Sequence, residues 1–205
     1  MNTKALIIFV RNPELGKVKT RLGLAIGNEN ALAIYNQLLN HTMETTKDLH
    51  CELFVFYDTQ INNNDIWDHT VYNKKIQAGN NLGERMENAF QEVFDLGFKN
   101  CVIIGSDLYD LKTNHINEAF NKLDCNEVVI GPAEDGGYYL LGLKKIISAI
   151  FSNKNWGTET VLEDTLKDIA ELSVYFLETL NDIDTLEDLE KSNYYSIKNG
   201  KLFDS

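Results

Sequence analysis

The sequence is short of cysteine, proline and basic residues. Its 205 residues include 3 cysteines, 2 prolines and 19 lysines and arginines, against 31 aspartates and glutamates, so the formal net charge is −12. Such an acidic chain does not offer the kind of surface that nucleic acid or an anionic membrane binds. The three cysteines, Cys51, Cys101 and Cys125, are odd in number, lie far apart and lack metal-ligand spacing. We therefore expect buried thiols in a reducing cytoplasm.

Long apolar runs are also absent. No run approaches the roughly 20 residues of a membrane span, and Arg11 ends the first run, Ala5–Val10, too early for a signal peptide. We therefore expect a cytoplasmic protein with no membrane partner. The length and the 43% of hydrophobic residues suffice for one sizeable core. Without a linker, repeat or low-complexity segment, the sequence predicts a single domain over residues 1–205.

Apolar runs of strand length alternate with segments of helical periodicity. Because parallel strands need crossover connections, this alternation predicts an α/β fold of three layers, αβα, with a mostly parallel sheet covered on both faces. The glycine-rich break before Tyr138 predicts that one strand runs antiparallel, which makes the sheet mixed. The predicted strands are Ala5–Val10, Cys51–Tyr57, Val71–Gln77, Cys101–Gly105, Val128–Ile130, Tyr138–Leu143 and Leu172–Leu177. The predicted helices are Asn28–Asp48, Leu82–Phe94 with Leu82 on its buried face, Thr113–Leu123, a short helix after Leu143, Thr158–Ala170, and a short helix opened by Asp184.

The segment after the first strand collects positive charge. Four cations, Arg11, Lys17, Lys19 and Arg21, lie within it, whereas Glu14 is its one acid. Because open α/β sheets bind ligands at the carboxyl ends of their strands, this cluster predicts an anionic ligand there. Backbone N–H groups of the loop and of the following helix would add to the binding of a phosphate. The alternative is a solvated turn whose lysines face water.

A second candidate site follows the predicted strand that ends at Gly105. Asp107 and Asp110 come directly after this strand, so a carboxylate here faces the same crevice as the basic segment. Mg²⁺ binds one or two carboxylates together with substrate phosphates, which makes Asp107 a candidate metal ligand. The alternative is that Asp107 or Asp110 caps the following turn.

A third acidic stretch, N-D-I-D-T-L-E-D-L, starts at Asn181. Asp182 and Asp184 are two residues apart, so in an extended segment their side chains lie on the same side. Asp184 is a candidate for the second metal carboxylate. It is equally a candidate cap, because Asp184 and Glu187 have the spacing of a capping box.

The glycine-rich stretch G-P-A-E-D-G-G-Y-Y joins two predicted strands. Gly136 and Gly137 permit positive φ or a close backbone approach, and Glu134 and Asp135 precede them. The stretch is either an acceptor-binding loop or a turn with no ligand. Trp156, in the segment N-W-G-T, likewise either stacks on a ligand or packs in the fold.

Six stretches of the sequence together resemble the bacterial selenodomain-associated transferases, which share the GT-A fold of nucleotide-diphospho-sugar transferases. The stretches are P-E-L-G-K-V-K-T-R-L, N-L-G-E-R-M, I-I-G-S-D-L-Y-D-L, G-P-A-E-D-G-G-Y-Y-L-L-G-L, W-G-T-E-T-V-L and D-I-D-T-L-E-D-L. They occur in family order and cover almost the whole chain. More distantly, the chain is similar to molybdenum-cofactor and 2-phospholactate guanylyltransferases. One departure is Leu108-Tyr109, where family members often have Cys-Pro.

The resemblance implies roles for residues in these stretches. The donor phosphates would be bound by Arg11, Lys17 and Arg21, with Lys19 as a secondary candidate. Asp107 would bind the metal, Mg²⁺ or Mn²⁺, and Asp184 would complete the metal site. The candidate catalytic residues are Lys17 and Asp107, and Glu84 and Arg85 would lie near the nucleotide. The other candidate substrate-binding residues are Glu134, Asp135, Gly136, Gly137 and Trp156.

The leading hypothesis for the reaction is a Mg²⁺-dependent nucleotidyl transfer. A small phosphorylated acceptor would attack the α-phosphorus of a nucleoside triphosphate in line and expel pyrophosphate. Four clustered cations suit a triphosphate better than a neutral sugar. One alternative is glycosyl transfer from a nucleotide-sugar donor, with Glu134 or Asp135 as the base toward an acceptor hydroxyl. Another is a non-catalytic nucleotide-binding module, and the acidic surface is compatible with a monomer or a homodimer.

Overall fold

The computed structural model describes residues 3–197. Its strands are β1 Lys4–Val10, β2 Glu52–Tyr57, β3 Tyr72–Ile76, β4 Asn100–Ile104, β5 Val128–Pro132, β6 Tyr138–Leu143 and β7 Val174–Phe176. Its helices are α1 Thr20–Ile26, α2 Asn28–Thr46, α3 Leu82–Asp95, α4 Thr113–Leu123, α5 Val161–Asp168, α6 Leu186–Lys191 and α7 Asn193–Ile197, and a 3₁₀ helix spans Ser148–Phe151. All the predicted strands are present, and β6 and α4 have the predicted bounds.

The strands form one mixed sheet with the order β3-β2-β1-β4-β6-β5-β7. The strands from β3 to β4 pair in parallel, and β5 pairs in parallel with β7. β6 is antiparallel to both of its neighbours, β4 and β5. The glycine-rich loop before Tyr138 therefore reverses the chain, which confirms the predicted mixed sheet.

Alternate residues of β1 point to opposite faces of the sheet, and helices cover both faces. Leu6 and Ile8 pack in one core layer with residues of α2 and α4. Ala5 and Ile7 pack in the other layer with residues of α3. All four side chains are fully buried, which explains why this strand reads as a continuous apolar run in the sequence. The three-layer αβα prediction is confirmed.

This topology brings several loops to one edge of the sheet. Because β6 alone runs against the others, the carboxyl ends of β1, β2, β4, β5 and β7 lie at the same edge. The loops after these strands carry the polar residues that the sequence singled out. Open α/β sheets bind their ligands at such an edge.

Several local predictions are wrong. The sequence did not predict α1, because only Leu22 and Gly23 of its seven residues are buried and no apolar period results. Leu82 is 43% exposed, because it starts α3 and faces a cavity instead of the core. Cys125 is exposed, because the chain turns after α4 before it enters β5. α5 begins at Val161, three residues later than predicted.

The short helix α6 is capped by a different pair from the one considered in the sequence. The Thr185 hydroxyl accepts a hydrogen bond from the Asp188 N–H at 3.3 Å. In return, the Asp188 carboxylate accepts one from the Thr185 N–H at 2.7 Å. The capping box is therefore Thr185–Asp188, one residue later than Asp184–Glu187. This register leaves Asp184 outside the helix cap.

The loop between β5 and β6 is fixed to the first turn of α5 and to the segment before it. Gly136 has a φ of 88°, and its carbonyl oxygen accepts a hydrogen bond from the Leu162 N–H at 2.9 Å. A Cβ at Gly136 would lie 2.2 Å from the carbonyl oxygen of Glu159. Glycine is therefore required here both for the left-handed backbone and for the close approach of two chain segments.

Within residues 3–197, none of the helices combines the length and the apolar character that crossing a membrane requires.

We expect Thr185→Ala to lower the free energy of unfolding by about 1 kcal/mol, because it removes the side-chain acceptor at the α6 N-cap. Glu187→Ala removes an exposed ion pair with Lys191 and should cost less, because water and salt screen such a pair. Urea unfolding of both variants measures the difference. A larger loss for Glu187→Ala than for Thr185→Ala would contradict the observed cap.

Gly136→Ala should destabilise the protein more than Gly97→Ala. Both glycines have positive φ, 88° and 96°, so both variants meet a backbone strain of about 1–2 kcal/mol. Apart from Gly97 itself and its chain neighbours, no described atom lies within 4 Å of a Cβ built at Gly97, whereas the Glu159 backbone must move to admit one at Gly136. Equal unfolding free energies for the two variants would show that the Glu159 contact does not constrain the loop.

Candidate functional site

The basic loop, residues 11–21, is anchored to the loop that follows β2. The buried Asn12 side chain accepts a hydrogen bond from the Thr59 hydroxyl at 2.7 Å and donates one to the Gln60 carbonyl at 2.9 Å. The Asn12 N–H donates to the Asp58 carboxylate at 2.8 Å. These bonds join two loops at the carboxyl edge of the sheet and so fix the path of the chain that carries the cations.

Lys19 is the buried cation of the basic loop. Its side chain is 5% exposed, and its ammonium lies 3.0 Å from Asp107 and 3.7 Å from Asp184. Its backbone is left-handed, with φ 47°, directly before α1 begins. A lysine rarely adopts this conformation, which costs about 1–2 kcal/mol. The strained backbone thus coincides with a lysine that joins two separate acidic segments.

Asp107 follows β4, at the place that the sequence predicted. Burial would raise the pKa of its carboxyl, but the charge and hydrogen bond of Lys19 outweigh burial and hold this pKa below its usual value. Gly105 leaves the room that this carboxylate occupies, because a Cβ there would lie 2.9 Å from Asp107 Oδ1. Asp107 is therefore ionised at neutral pH and held in one place.

The segment after β7 brings two further carboxylates to the same place. The Ile183 N–H donates to the Asp107 carbonyl at 3.1 Å, so the two acidic segments are joined through their backbones. The Asp184 carboxylate lies 2.5 Å from the Arg21 guanidinium. Burial beside Asp107 and Asp135 raises the pKa of Asp182 to about 7.

A cavity of about 660 Å³ opens between these groups, and we call it the basic cavity. The cations that line it are Arg11, Lys19, Arg21 and Arg85. The carboxylates that line it are Asp58, Asp107, Asp182 and Asp184. The structure therefore brings together side chains from the loops after β1, β2, β4 and β7 and from α3, as ligand binding at this edge requires.

Two residues that the sequence assigned to the donor do not line the basic cavity. Lys17 is 71% exposed at the surface and pairs with Glu14 at 2.6 Å. Glu84 caps the start of α3, where its carboxylate accepts hydrogen bonds from the Asn80 N–H and from the Asn81 side chain, both at 2.8 Å. Their proposed roles in binding or catalysis stay predictions.

A second cavity, of about 230 Å³, lies beside the first, and we call it the aromatic cavity. Its aromatic walls are Tyr138, Tyr139 and Trp156. Asp135 and Gly137 of the glycine-rich loop also line it, whereas Glu134 and Gly136 do not. The two cavities share the wall residues Leu82, Gly105, Asp107 and Asp182. A ligand in one cavity therefore adjoins a ligand in the other at Asp107.

The carboxylates at this junction suit a divalent cation that also binds phosphate. Within residues 3–197, no group of three or more His, Cys, Asp and Glu side chains is arranged to hold a metal ion. Mg²⁺, however, takes only one or two protein carboxylates when phosphate oxygens and waters complete its shell. Asp107 and Asp182 offer two such oxygen ligands, although Asp107 also pairs with Lys19. Asp184 pairs with both Lys19 and Arg21, and its role as a metal ligand stays a prediction.

Sequence reasoning did not select Asp182 and Tyr35 as site residues. Asp182 was paired with Asp184 by spacing, and that spacing was the available signal. Tyr35 is one of the buried residues of α2, and its spacing there gave no signal for a site. Its buried hydroxyl accepts a hydrogen bond from the Arg11 N–H at 2.9 Å and lies 3.4 Å from the Ser106 hydroxyl. Burial raises the pKa of Tyr35 to about 12, so this hydroxyl keeps its proton while it holds the start of the basic loop.

Comparison with known proteins agrees with this architecture. The family model described as "Uncharacterized protein conserved in bacteria (DUF2064)" matches residues 41–158. A crystal structure from Desulfovibrio desulfuricans G20, provisionally named a nucleotide-diphospho-sugar transferase, is 34% identical with a TM-score of 0.87, and the match covers 100% of this chain and 92% of that chain. No curated protein matches the sequence.

Two more distant structures share the fold. The 4-diphosphocytidyl-2C-methyl-D-erythritol synthase of Anaerococcus prevotii is 12% identical with a TM-score of 0.59, over 96% of this chain and 99% of that chain. A CMP:2-keto-3-deoxy-manno-octonic acid synthetase complexed with CTP is 10% identical with a TM-score of 0.61, over 97% of this chain and 100% of that chain. The chain belongs to the DUF2064 family and has the fold of the nucleotide-diphospho-sugar (GT-A) transferases.

Proposed function

We propose that the protein is a metal-dependent transferase that binds a nucleotide donor in the basic cavity and transfers a nucleotidyl group from a nucleoside triphosphate. The observation that carries the proposal is the convergence of Arg11, Lys19, Arg21 and Arg85 on one cavity beside Asp107. Four carboxylates also line this cavity, but in a chain of net charge −12 the gathering of four cations, of which Lys19 and Arg21 alone form ion pairs among the described residues, points to an anionic ligand. The motif resemblance to selenodomain-associated transferases supports the same proposal.

Each residue has a role that follows from its position. Arg11, Arg21 and Arg85 are exposed or half-buried around the cavity, so their guanidinium groups can reach donor phosphates. Lys19 is buried and paired, so it holds Asp107 in place and lowers its proton affinity. Asp107 and Asp182 would hold Mg²⁺ or Mn²⁺. The bound cation would neutralise phosphate charge and stabilise the charge that develops on the leaving group.

For this reaction the protein has to position the two reactants and neutralise the charge of the phosphates, and it need not bond covalently to either of them. An acceptor oxygen in the aromatic cavity would form a bond to the α-phosphorus of the triphosphate. The bond from that phosphorus to the bridging oxygen would break, and pyrophosphate would leave with the electron pair. Arg11, Arg21 and Arg85 would stabilise the charge on the departing pyrophosphate, and the junction at Asp107 would align the two ligands.

Glycosyl transfer from a nucleotide sugar is the second candidate. It is favoured by the structure at 34% identity that is provisionally named a nucleotide-diphospho-sugar transferase. The basic cavity would then hold the diphosphate of the donor, and the sugar would extend toward the aromatic cavity. Stabilisation by a nucleotide sugar and not by triphosphates would select this reaction.

We expect one nucleoside triphosphate with Mg²⁺ to raise the melting temperature, and the Lys19→Met variant to lose the effect. Ligand at 100 times its dissociation constant adds about 2.7 kcal/mol, or roughly 5–10 °C for a chain of this size. Thermal denaturation with a panel of triphosphates and nucleotide sugars, each with Mg²⁺, Mn²⁺ or chelator, measures this shift.

Lys17→Met should reduce that shift less than Lys19→Met, because Lys17 lies outside the basic cavity. The control is Lys47→Met, which removes a similar local pair with Glu44 elsewhere in the chain. The full shift in Lys19→Met together with its loss in Lys17→Met would assign the donor to Lys17, as the resemblance implies.

Asp107→Asn should lower turnover by at least two orders of magnitude, because it removes the proposed metal carboxylate while keeping the side-chain shape. Asp110→Asn on the same loop is the matched control. Asp110 accepts a hydrogen bond from the Asn193 side chain at 2.5 Å and lines neither cavity. Release of pyrophosphate, or of a nucleoside diphosphate for the second candidate, measures turnover. Retained activity in Asp107→Asn would end the assignment.

A further inference from the structure

The aromatic cavity differs from the basic cavity in its chemistry. We propose that it binds the acceptor, and that this acceptor is a single ring that carries hydroxyl groups and no phosphate. The proposal rests on the proposed function, because it takes the basic cavity as the donor site. It departs from the phosphorylated acceptor that the sequence suggested, and it holds for nucleotidyl and for glycosyl transfer.

The walls of the aromatic cavity suit the apolar face of a ring. Tyr138 and Trp156 form an edge-to-face pair with ring centroids 6.5 Å apart. Trp156 packs closely against Gly83 of α3, since a Cβ at Gly83 would lie 2.8 Å from the indole ring. Met86 and Val161 complete the apolar lining. The volume of about 230 Å³ is below the usual range for drug-sized ligands, so it suits one ring.

The charge of the aromatic cavity opposes an anionic ligand. Asp107, Asp135 and Asp182 line it, and among its described lining residues none is a lysine, arginine or histidine. The four cations of the site, Arg11, Lys19, Arg21 and Arg85, line the basic cavity and not the aromatic cavity. Even when a metal ion neutralises Asp107 and Asp182, a phosphate in the aromatic cavity would face the Asp135 carboxylate with no cationic side chain among the described lining residues to pair with it, which selects against phosphorylated acceptors.

Hydroxyl groups match the same carboxylates. An ionised carboxylate only accepts hydrogen bonds and has several lone pairs, whereas a hydroxyl donates one. Asp135 uses one oxygen to accept the Gly137 N–H at 2.8 Å, which fixes its orientation and leaves acceptor capacity on the carboxylate. In a pocket with apolar walls, a few precisely placed polar groups fix the orientation of a small ligand.

The shared wall places such a hydroxyl beside the donor. Gly105 and Asp107 line both cavities, and the missing side chain at Gly105 leaves room for the Asp107 carboxylate at the wall that they share. The acceptor hydroxyl oxygen would form the new bond to the donor, its proton would pass to solvent, and the donor's pyrophosphate or nucleoside diphosphate would leave with the electron pair.

The fluorescence of Trp156 provides a test that does not depend on turnover. The full chain, with Mg²⁺ and its stabilising nucleotide, is titrated with two matched pairs: glucose and glucose 6-phosphate, and ribose and ribose 5-phosphate. For at least one of the two pairs, we expect the free sugar to change the emission at a concentration at least tenfold below the concentration that the sugar phosphate needs. Trp156→Phe should abolish the signal, because Trp67, the other tryptophan, is 2% exposed in the core and lies outside the aromatic cavity.

Two charge variants test the physical cause. Asp135→Asn should lower the preference for free sugar over sugar phosphate at least threefold, since it removes one repelling charge and keeps the oxygen that accepts the Gly137 N–H. Glu163→Gln removes the same charge from the exposed surface of α5, where Glu163 pairs with Lys167, and should leave the preference unchanged.

The proposal is overturned if a sugar phosphate changes the emission at the same or a lower concentration than its free sugar, or if none of the four probes does. Thermal stabilisation by the nucleotide is measured separately in the same samples. Nucleotide stabilisation with a preference for the phosphates would overturn the acceptor inference and leave the proposed function standing. Absence of nucleotide stabilisation would count against the proposed function itself.

Discussion

The ion pair between Lys19 and Asp107 organises the carboxyl edge of this sheet. It joins the loop after β1 to the loop after β4 at 3.0 Å, and the same ammonium reaches Asp184 after β7 at 3.7 Å. A buried lysine that lost its carboxylates would be an uncompensated charge, and so would the carboxylates without the lysine. Because each partner comes from a different crossover of the sheet, the pair forms only when the sheet has been assembled.

The pair also explains why a strained lysine is tolerated. The left-handed backbone of Lys19 costs about 1–2 kcal/mol, and the surrounding structure must compensate it. Asn12 anchors one end of the basic loop to the loop after β2, and Tyr35 holds Arg11 from α2. These anchors fix the start of the basic loop, and at its end the Lys19 side chain is directed inward to Asp107.

The edge of the sheet holds two adjoining cavities, and the cations line only one of them. On one side, cations from the basic loop and from α3 line the basic cavity. On the other side, aromatic rings and carboxylates line the aromatic cavity. Asp107 and Asp182 stand on the shared wall, so in the proposed reaction a donor and an acceptor of different chemistry would meet at these two carboxylates. The antiparallel strand β6 creates the second cavity, because its first residue, Tyr138, enters the sheet at this edge.

The sequence by itself determined the alternating strands and helices, the antiparallel β6 and the positions of Asp107 and the basic loop, since apolar periodicity and local charge are recorded in neighbouring residues. It did not determine which lysine turns inward. Lys17 and Lys19 are equivalent in composition, and only the path of the anchored loop buries Lys19 and leaves Lys17 in water. The surroundings of Asp184 and Asp182 were likewise decided by tertiary structure. The α6 cap begins one residue later than predicted, which leaves Asp184 to pair with Arg21. Asp182 is buried beside Asp107 on the shared wall. Both arrangements depend on contacts between segments that lie far apart in the chain.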